Sequence, residues 1–160
     1  MLSMRVGMGY DIHALRKGRK LVLGGVTIPF SKGLYGHSDG DALFHAIVDA
    51  ALGAAGLGDI GEHFSDKDPR WKGASGETFA RGTVALLKKK KMRVVQIDSV
   101  LILEAPKLSA YKRAMRHKIA AAFGIPTECV NVKAKTNEGF GDIGKGRAIA
   151  ASALVVIQKI

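Results

Sequence analysis

The run from Ala42 to Leu57 constrains the fold more than any other segment. It consists mostly of strong helix formers and is apolar nearly all round, with His45 and Asp49 as the polar exceptions. A helix that is hydrophobic on every side is buried. Ser38, followed three residues later by Asp41, is typical of a helix start. The chain is therefore predicted to carry one long helix in the interior of its domain.

The flanking segments predict the strands and helices that bury this helix. Arg5–His13 alternates between apolar and small or polar residues, which is typical of a half-buried strand. The other predicted strands are Lys20–Phe30 (broken at Gly24-Gly25), Met92–Leu103, Val130–Lys135 and Ala148–Ile160, and the other predicted helices are Ser75–Lys90 and Ser109–Phe123. This order predicts a single α+β domain over residues 1–160, with a mixed sheet covered by helices on one face. The other face needs a cover, for which a second subunit is the simplest candidate.

Composition and length exclude several classes of protein. With 160 residues, 47% hydrophobic content and 24% charged residues, the chain suits one globular domain and not a disordered one. Its longest apolar stretch, Ala148–Ile157, is shorter than the roughly 20 residues that cross a bilayer. No signal-peptide pattern precedes Arg5, and the lone Cys129 cannot form an internal disulfide. A cytoplasmic protein without a membrane partner is expected.

Charge is distributed unevenly along the chain. The net charge is +11, and the segment Arg81–Lys118 holds 11 basic and 2 acidic residues, whereas seven of the 14 acids lie between Asp39 and Asp68. A site that holds a cation with one segment and anions with the other suits a phosphorylated substrate. The run Lys88–Lys91 is typical of a solvated helix end, where cations meet the negative pole of the dipole. No aromatic residues are interleaved with it for base stacking, so a nucleic-acid partner is not expected.

The sequence Asp11-Ile12-His13 predicts a carboxylate and an imidazole on the same face of a strand, because strand side chains alternate. His45 is a third potential ligand, and three nitrogen and oxygen ligands with an open fourth position are typical of catalytic zinc. The alternative is a capping aspartate, a surface histidine and a hydrogen-bonded core histidine. The segment His37–Asp41 adds polar groups at the start of a helix, where backbone amides favour anions.

Two further clusters contain groups that bind phosphate or a ring. Lys133–Glu138 follows a predicted strand, and its lysines and threonine suit phosphate while Glu138 suits Mg²⁺. Leu103–Ser109 is a predicted strand-to-helix loop whose backbone groups suit a ring, although Pro106 also fits an ordinary helix start. Spacing alone therefore indicates a metal-assisted enzyme acting on phosphates.

Six ordered motifs resemble one enzyme family. They are Gly9–His13, His37–Asp41 with His45, Gly58–Gly61, Phe64–Pro69, Ala105–Lys107 and Lys133–Glu138. From about Met4 to Ile160 the chain closely resembles the 2-C-methyl-D-erythritol 2,4-cyclodiphosphate synthases of the non-mevalonate isoprenoid pathway. The resemblance implies a homotrimer with a four-stranded mixed sheet in each subunit and active sites between neighbouring subunits. It also implies a phosphorus–oxygen lyase, in which the 2-phosphate of 4-diphosphocytidyl-2-C-methyl-D-erythritol 2-phosphate attacks the β-phosphorus and expels CMP.

The resemblance implies roles for individual residues at the matching positions. Asp11, His13 and His45 would bind Zn²⁺ or another divalent transition metal, and Glu138 would hold Mg²⁺ between the α- and β-phosphates. His37 and Thr136 would be catalytic, because they would stabilise the charge that develops at the attacked phosphorus. The erythritol contacts would come from Asp59, Ile60, Gly61, Phe64, Ser65, Asp66, Lys67 and Asp68. The cytidine diphosphate pocket of the neighbouring subunit would comprise Leu103, Glu104, Ala105, Pro106, Lys107, Leu108, Ser109 and Lys135. The substrate-binding set further includes Asp11, His13, His37, Ser38, Thr136, Asn137, Glu138, Asp142 and Lys145.

One segment departs from the family pattern. Many members have Gly-Arg-Gly-Glu-Gly near the threefold axis, where this chain has Gly144-Lys145-Gly146-Arg147-Ala148, and Asp142 replaces an aromatic residue that is usual just upstream. Lysine keeps the charge of arginine but loses its bidentate fork. Arginine in place of glutamate reverses a sign that is repeated three times about the axis. A channel there that attracts anions more strongly is therefore expected.

Two other function classes remain open from the residues alone. A zinc-dependent phosphoesterase would use the same three ligands to hydrolyse a phosphate with metal-bound water. A basic nucleic-acid-binding module would show a steep salt dependence and no effect of chelators. The set Asp11, His13 and His45 argues against the second class.

Overall fold

The computed structural model describes residues 4–160, and its centre is a mixed sheet. The strands are β1 (Met4–Lys17), β2 (Leu21–Leu23), β3 (Val26–Ile28), β4 (Lys32–Leu34), β5 (Met92–Ile102), β6 (Val130–Lys135) and β7 (Ala148–Lys159). Five of them form one sheet in the order β4-β1-β7-β5-β6, while β2 and β3 form a separate hairpin. Only the β5–β6 pair is parallel. The α+β class and the mixed sheet are as predicted.

The helices are α1 (Ala42–Ala55), α2 (Ile60–His63), α3 (Gly76–Lys89), α4 (Lys112–Phe123) and α5 (Gly141–Gly144). The long helix α1 is buried along nearly all its length and lies across β1 and β7, as its apolar sequence predicts. Its N-cap is Asp41 and not Ser38. The buried Asp41 carboxylate accepts hydrogen bonds from the amides of Phe44, Gly24 and Gly25, so it caps α1 and anchors the β2–β3 hairpin at once. A serine hydroxyl offers no second oxygen for that task.

Glycines allow α1 to pack directly on β1. An added Cβ at Gly9 would lie 2.0 Å from the carbonyl oxygen of Ala46, and one at Gly7 would lie 2.0 Å from that of Ala50. Strand and helix backbones are therefore in contact, which larger side chains would prevent. This close packing brings the His45 side chain on α1 next to those of Asp11 and His13 on β1.

The other face of the sheet is open in the described chain. Val6, Met8, Tyr10 and Ile12 alternate with the glycines of β1 and point away from the helices, with 63%, 73%, 55% and 46% of their surface exposed. The expectation that helices cover a single face is confirmed for residues 4–160. In the same residues, no helix has both the length and the apolarity required to cross a membrane.

Several predicted boundaries are wrong in ways that have physical causes. The sheet has five strands and not the four implied by the resemblance, because Lys32–Leu34 pairs with the far end of β1. The segment Lys20–Phe30 is a hairpin that turns at Gly24-Gly25, both of which have positive φ. The helix expected from Ser109 begins at Lys112. The short elements β4, α2 and α5 are too brief to show any periodicity in sequence.

Candidate active site

Asp11, His13 and His45 converge on one point between β1 and α1. The Oδ2 atom of Asp11 lies 2.8 Å from Nε2 of His13 and 3.0 Å from Nδ1 of His45, and the two histidine nitrogens are 3.2 Å apart. A tetrahedral zinc ion with ligands at about 2.0–2.1 Å needs ligand atoms about 3.3 Å apart. The three atoms are therefore spaced for such an ion, and their types suit it.

Each histidine is oriented by a contact to its second ring nitrogen. Nδ1 of His13 lies 2.8 Å from the carbonyl oxygen of Tyr35, which can only accept, so this nitrogen carries the proton. Nε2 of His45 lies 3.1 Å from the hydroxyl oxygen of the buried Ser38. Such contacts select the tautomer and hold the free lone pair towards a metal. Ser38 thus orients the His45 ring besides lining the cavity beside it.

The electrostatics of the cluster favour an ionised Asp11. Burial by itself would raise the pKa of Asp11, but hydrogen bonds and charge from His13 and His45 outweigh it and hold the pKa well below its usual range. Burial likewise would lower the pKa of His13, whereas the hydrogen bond and charge of Asp11 raise it. A cation is thus favoured at this point, either as a proton on a histidine or as a metal ion that displaces it.

A cavity of about 420 Å³ opens beside the three ligands. Of the residues expected to contact erythritol, Ile60, Gly61, Phe64 and Asp66 line it, together with His37 and Ser38. Trp71 and Phe79 also line it and were not predicted. Their rings pack against Phe64 with centroids 5.3 Å and 5.2 Å away, which makes one wall of the cavity apolar.

The remaining residues expected near erythritol do not line this cavity. Asp59 caps α2 by accepting from the amide of Glu62 and lines a neighbouring hollow that also includes Asp11. Asp68 pairs with Arg70 and accepts from its amide. Ser65 accepts a hydrogen bond from the amide of Lys67, which is itself exposed. Asp59 thus starts α2, whereas Ser65, Lys67 and Asp68 shape the loop between α2 and α3.

The second cluster forms a separate cavity of about 310 Å³ at the carboxyl ends of β5 and β6. It is lined by the expected residues Leu103, Glu104, Pro106, Lys107, Leu108, Ser109, Lys135 and Thr136, and by the unpredicted Lys112 and Ala134. Ala105, bonded to Pro106 by a cis peptide, is exposed. Oε1 of Glu104 accepts from the amides of Asn137 and Gly139 and so ties the two loops together.

Glu138, Asn137, Asp142 and Lys145 line neither cavity. Thr136 donates its hydroxyl to Glu138 over 2.9 Å, and Asn137 donates to the carbonyl oxygen of Phe140. Asp142 lies 3.3 Å from Arg147, so two of the departures from the family pattern form an ion pair with each other. Lys145 is exposed.

One chain does not bring the two clusters together. Asp11 pairs with Ala151, Ala151 with Leu101 and Leu101 with Ala134, so the clusters lie at the same end of the sheet but three strands apart. Neighbouring strands are about 4.8 Å apart, which separates the clusters by about 14 Å. This is farther than any single phosphate group reaches.

Comparison with known proteins gives a consistent result. Residues 4–158 match the model of the YgbB family. The 2-C-methyl-D-erythritol 2,4-cyclodiphosphate synthase of Desulfosudis oleivorans is 55% identical over 154 residues, which are 96% of this chain and 92% of that protein. A solved 2C-methyl-D-erythritol-2,4-cyclodiphosphate synthase with bound CDP superposes with a TM-score of 0.88 at 38% identity, over 96% of this chain and 99% of that one. The bifunctional IspDF of Campylobacter jejuni superposes with a TM-score of 0.96 at 36% identity, over all of this chain but only 43% of that longer protein.

Proposed function

The chain belongs to the YgbB family, and on that premise we propose that it acts as a 2-C-methyl-D-erythritol 2,4-cyclodiphosphate synthase in isoprenoid biosynthesis. In this reaction the 2-phosphate oxygen of the substrate forms a bond to the β-phosphorus. The bond from that phosphorus to the oxygen of CMP breaks, so that CMP leaves and the cyclic diphosphate remains. The observation that carries this conclusion is the convergence of Asp11, His13 and His45 beside a cavity, in a chain with a full-length relationship to a synthase.

The chain's own residues position the reactants. We propose that the three ligands hold Zn²⁺ and that Glu138 holds Mg²⁺, which when bound supply Lewis-acid polarisation and neutralise diphosphate charge. His37, on the wall of the cavity beside Asp11, would donate to a phosphate oxygen as charge develops, and Thr136 would do the same once its hydroxyl turns from Glu138 to the phosphate. The apolar wall of Phe64, Trp71 and Phe79 excludes water from the attacked phosphorus, which favours the substrate's own nucleophile over hydrolysis. No protein nucleophile is required.

We infer that the active site is completed by a neighbouring subunit of a homotrimer. About 14 Å separates the metal cluster from Thr136 and Lys135 in one chain. The cytidine diphosphate pocket of Leu103–Ser109 and Lys135 would therefore serve the metal cluster of the next subunit. The exposed apolar side chains of Val6, Met8 and Leu154 support this inference, because so large an apolar sheet face is typical of a subunit interface.

We further propose that residues 1–160 form a single synthase domain that works in the cytoplasm. The continuous match from residue 4 to 158 supports one domain. The unpaired Cys129 supports a reducing compartment.

The reaction is tested by measuring CMP release from 4-diphosphocytidyl-2-C-methyl-D-erythritol 2-phosphate, with phosphorus NMR of the product. The expected product gives two coupled signals of a cyclic diphosphate, and the signals disappear when a chelator strips the metal. In water labelled with oxygen-18, cyclisation places no label in the product. A linear product that carries the label would show that the site is a phosphoesterase instead.

Mixing two impaired variants is expected to raise activity above that of either variant alone. Asp11→Ala destroys the metal cluster and Lys135→Ala weakens the nucleotide pocket, but in a mixed trimer some sites combine an intact cluster with an intact neighbouring pocket. After unfolding and joint refolding of equal amounts, about a quarter of the sites should be intact. CMP release from the mixture, compared with each variant refolded alone, measures this. Activity no higher than the mean of the two variants would mean that each chain forms its own complete site.

A further inference from the structure

A third cavity, of about 670 Å³, lies at the opposite end of β5 from the nucleotide pocket and is larger than either cavity of the candidate site. It exists because β6 pairs with β5 only from Ile97 onwards, which leaves residues 92–96 of β5 without a neighbour on that side. The carboxyl-terminal ends of α3 and α4 flank the gap. Its size is that of a small-molecule site.

The cavity is mainly apolar and partly open. Its walls include Leu87, Met92, Val94, Val95, Phe123 and Ile125, of which Met92, Val95 and Ile125 are half-buried. The pairing of β5 with β7 is irregular between Val94 and Gln96, so Val95 has no partner in that register, and both Val94 and Val95 line the cavity. Irregularities of this kind re-aim side chains next to functional sites. They also disfavour the addition of a further strand at this edge.

Positive charge surrounds the cavity. Lys88 and Arg93 line it, and a hollow of about 240 Å³ that shares Met92 is lined by Arg5, Lys90 and Lys159. No acidic residue lines either space. Within residues 4–160, none of these five cations forms an ion pair. The charge is therefore available to an anion.

We propose that this cavity binds an anion with a single apolar chain, with the chain in the cavity and a phosphate or carboxylate head between Lys88 and Arg93. An apolar chain would remove the exposed parts of Met92, Val95 and Ile125 from water, whereas the hydroxyl groups of a sugar or a nucleotide would find no polar partners among these side chains. The unpaired cations account for an anionic head. The site lies apart from the metal cluster and does not depend on the synthase reaction.

The test measures binding of octyl and decyl phosphate, below their micelle concentrations, by calorimetry on the full chain. Each added methylene is expected to strengthen binding about fourfold, because it is removed from water in the cavity. Inorganic phosphate should bind far more weakly. Equal affinity for the two alkyl phosphates and for inorganic phosphate would mean that only surface charge attracts them, and would overturn the proposal.

Variants locate the binding site. Ala121→Trp, at an exposed position on the cavity wall, should abolish chain-length dependence, and Lys88→Glu or Arg93→Glu should weaken decyl phosphate binding about tenfold. Lys17→Glu makes the same charge change on an exposed residue of β1 and should have little effect. Unchanged binding in Ala121→Trp would overturn the proposal.

A vesicle experiment identifies the source of the apolar chain. Co-sedimentation with phosphatidylglycerol vesicles that is lost in the same variants would identify a membrane lipid. Binding of dissolved alkyl phosphate without co-sedimentation would identify a free amphiphile.

Discussion

Asp11→Ala is expected to lower kcat/KM about a thousandfold and to abolish tight zinc binding. Asp11 supplies the anionic ligand of the cluster, and its Oδ2 lies within 3.0 Å of both histidine nitrogens. Lewis-acid stabilisation of a transition state is worth several kcal/mol, and about 4 kcal/mol corresponds to a thousandfold rate. CMP release and the zinc content of the purified protein measure the two effects.

A matched control separates the loss of a ligand from the loss of a carboxylate. Glu128 is exposed and lines neither cavity of the site. Glu128→Ala should therefore keep full activity and zinc content. Asp11→Ala should stay folded, because the Asp11 side chain is 26% exposed and its contacts to His13 and His45 are polar ones at the edge of the cavity. A folded, zinc-free Asp11→Ala protein with wild-type turnover would show that the reaction does not need a metal at this cluster.

Gly9→Ala is expected to cost about 3 kcal/mol of unfolding free energy, at the upper end of overpacking changes, and to weaken metal binding at the same time. The added Cβ would lie 2.0 Å from the carbonyl oxygen of Ala46. Since the Cβ atom is fixed to the β1 backbone and the oxygen belongs to the α1 backbone, α1 must move away from β1 by roughly 1.5 Å to reach an ordinary contact distance. His45 moves with α1, so its nitrogen would leave the spacing that suits a metal.

Thermal unfolding and zinc titration measure these two consequences together. Gly53→Ala is the control, because it adds the same methyl group to α1 at a position where nothing lies within 4 Å. It should stabilise the protein by about 0.5–1 kcal/mol through helix propensity, with no change in zinc affinity. If Gly9→Ala unfolded at the wild-type temperature and bound zinc normally, direct contact between β1 and α1 would not be what positions His45.

Most elements with long, regular apolar patterns could be predicted to within a residue or two, although β1 continues to Lys17, four residues beyond the predicted end at His13. β6 has its predicted bounds, and β5 and α3 each differ from prediction only at their ends. The convergence of Asp11, His13 and His45 could also be predicted, because strand alternation places the first two on one face and His45 is one of two polar residues in the buried helix. That they bind a metal stays a prediction. These features depend on neighbours in sequence, which the sequence displays directly.

Features that depend on partners distant in sequence could not be predicted. Asp41 is the cap of α1 because the β2–β3 hairpin presents two amides to it, 16 and 17 residues earlier in the chain. Phe79 lines the cavity because α3 packs against α1 beside His45, and Trp71 lines it because its ring packs on Phe79. Nothing in their own segments signals that role. Lys112 lines the cavity at the ends of β5 and β6 and is the first residue of α4, three residues after the predicted start of that helix at Ser109.

The sequence by itself therefore determined the fold class, the buried helix and the donor atoms that Asp11, His13 and His45 bring together, because these follow from residue type and local periodicity. The tertiary structure alone decided that the two functional clusters of one chain lie three strands apart at the same end of the sheet. It also decided that β6 pairs with β5 only from Ile97 onwards, which leaves an apolar cavity with a cationic rim beside the first residues of β5. The physical reason is that packing of the whole chain sets the strand order and register. Each strand forms its backbone hydrogen bonds with strands distant in sequence, and the local sequence does not indicate which strands these are.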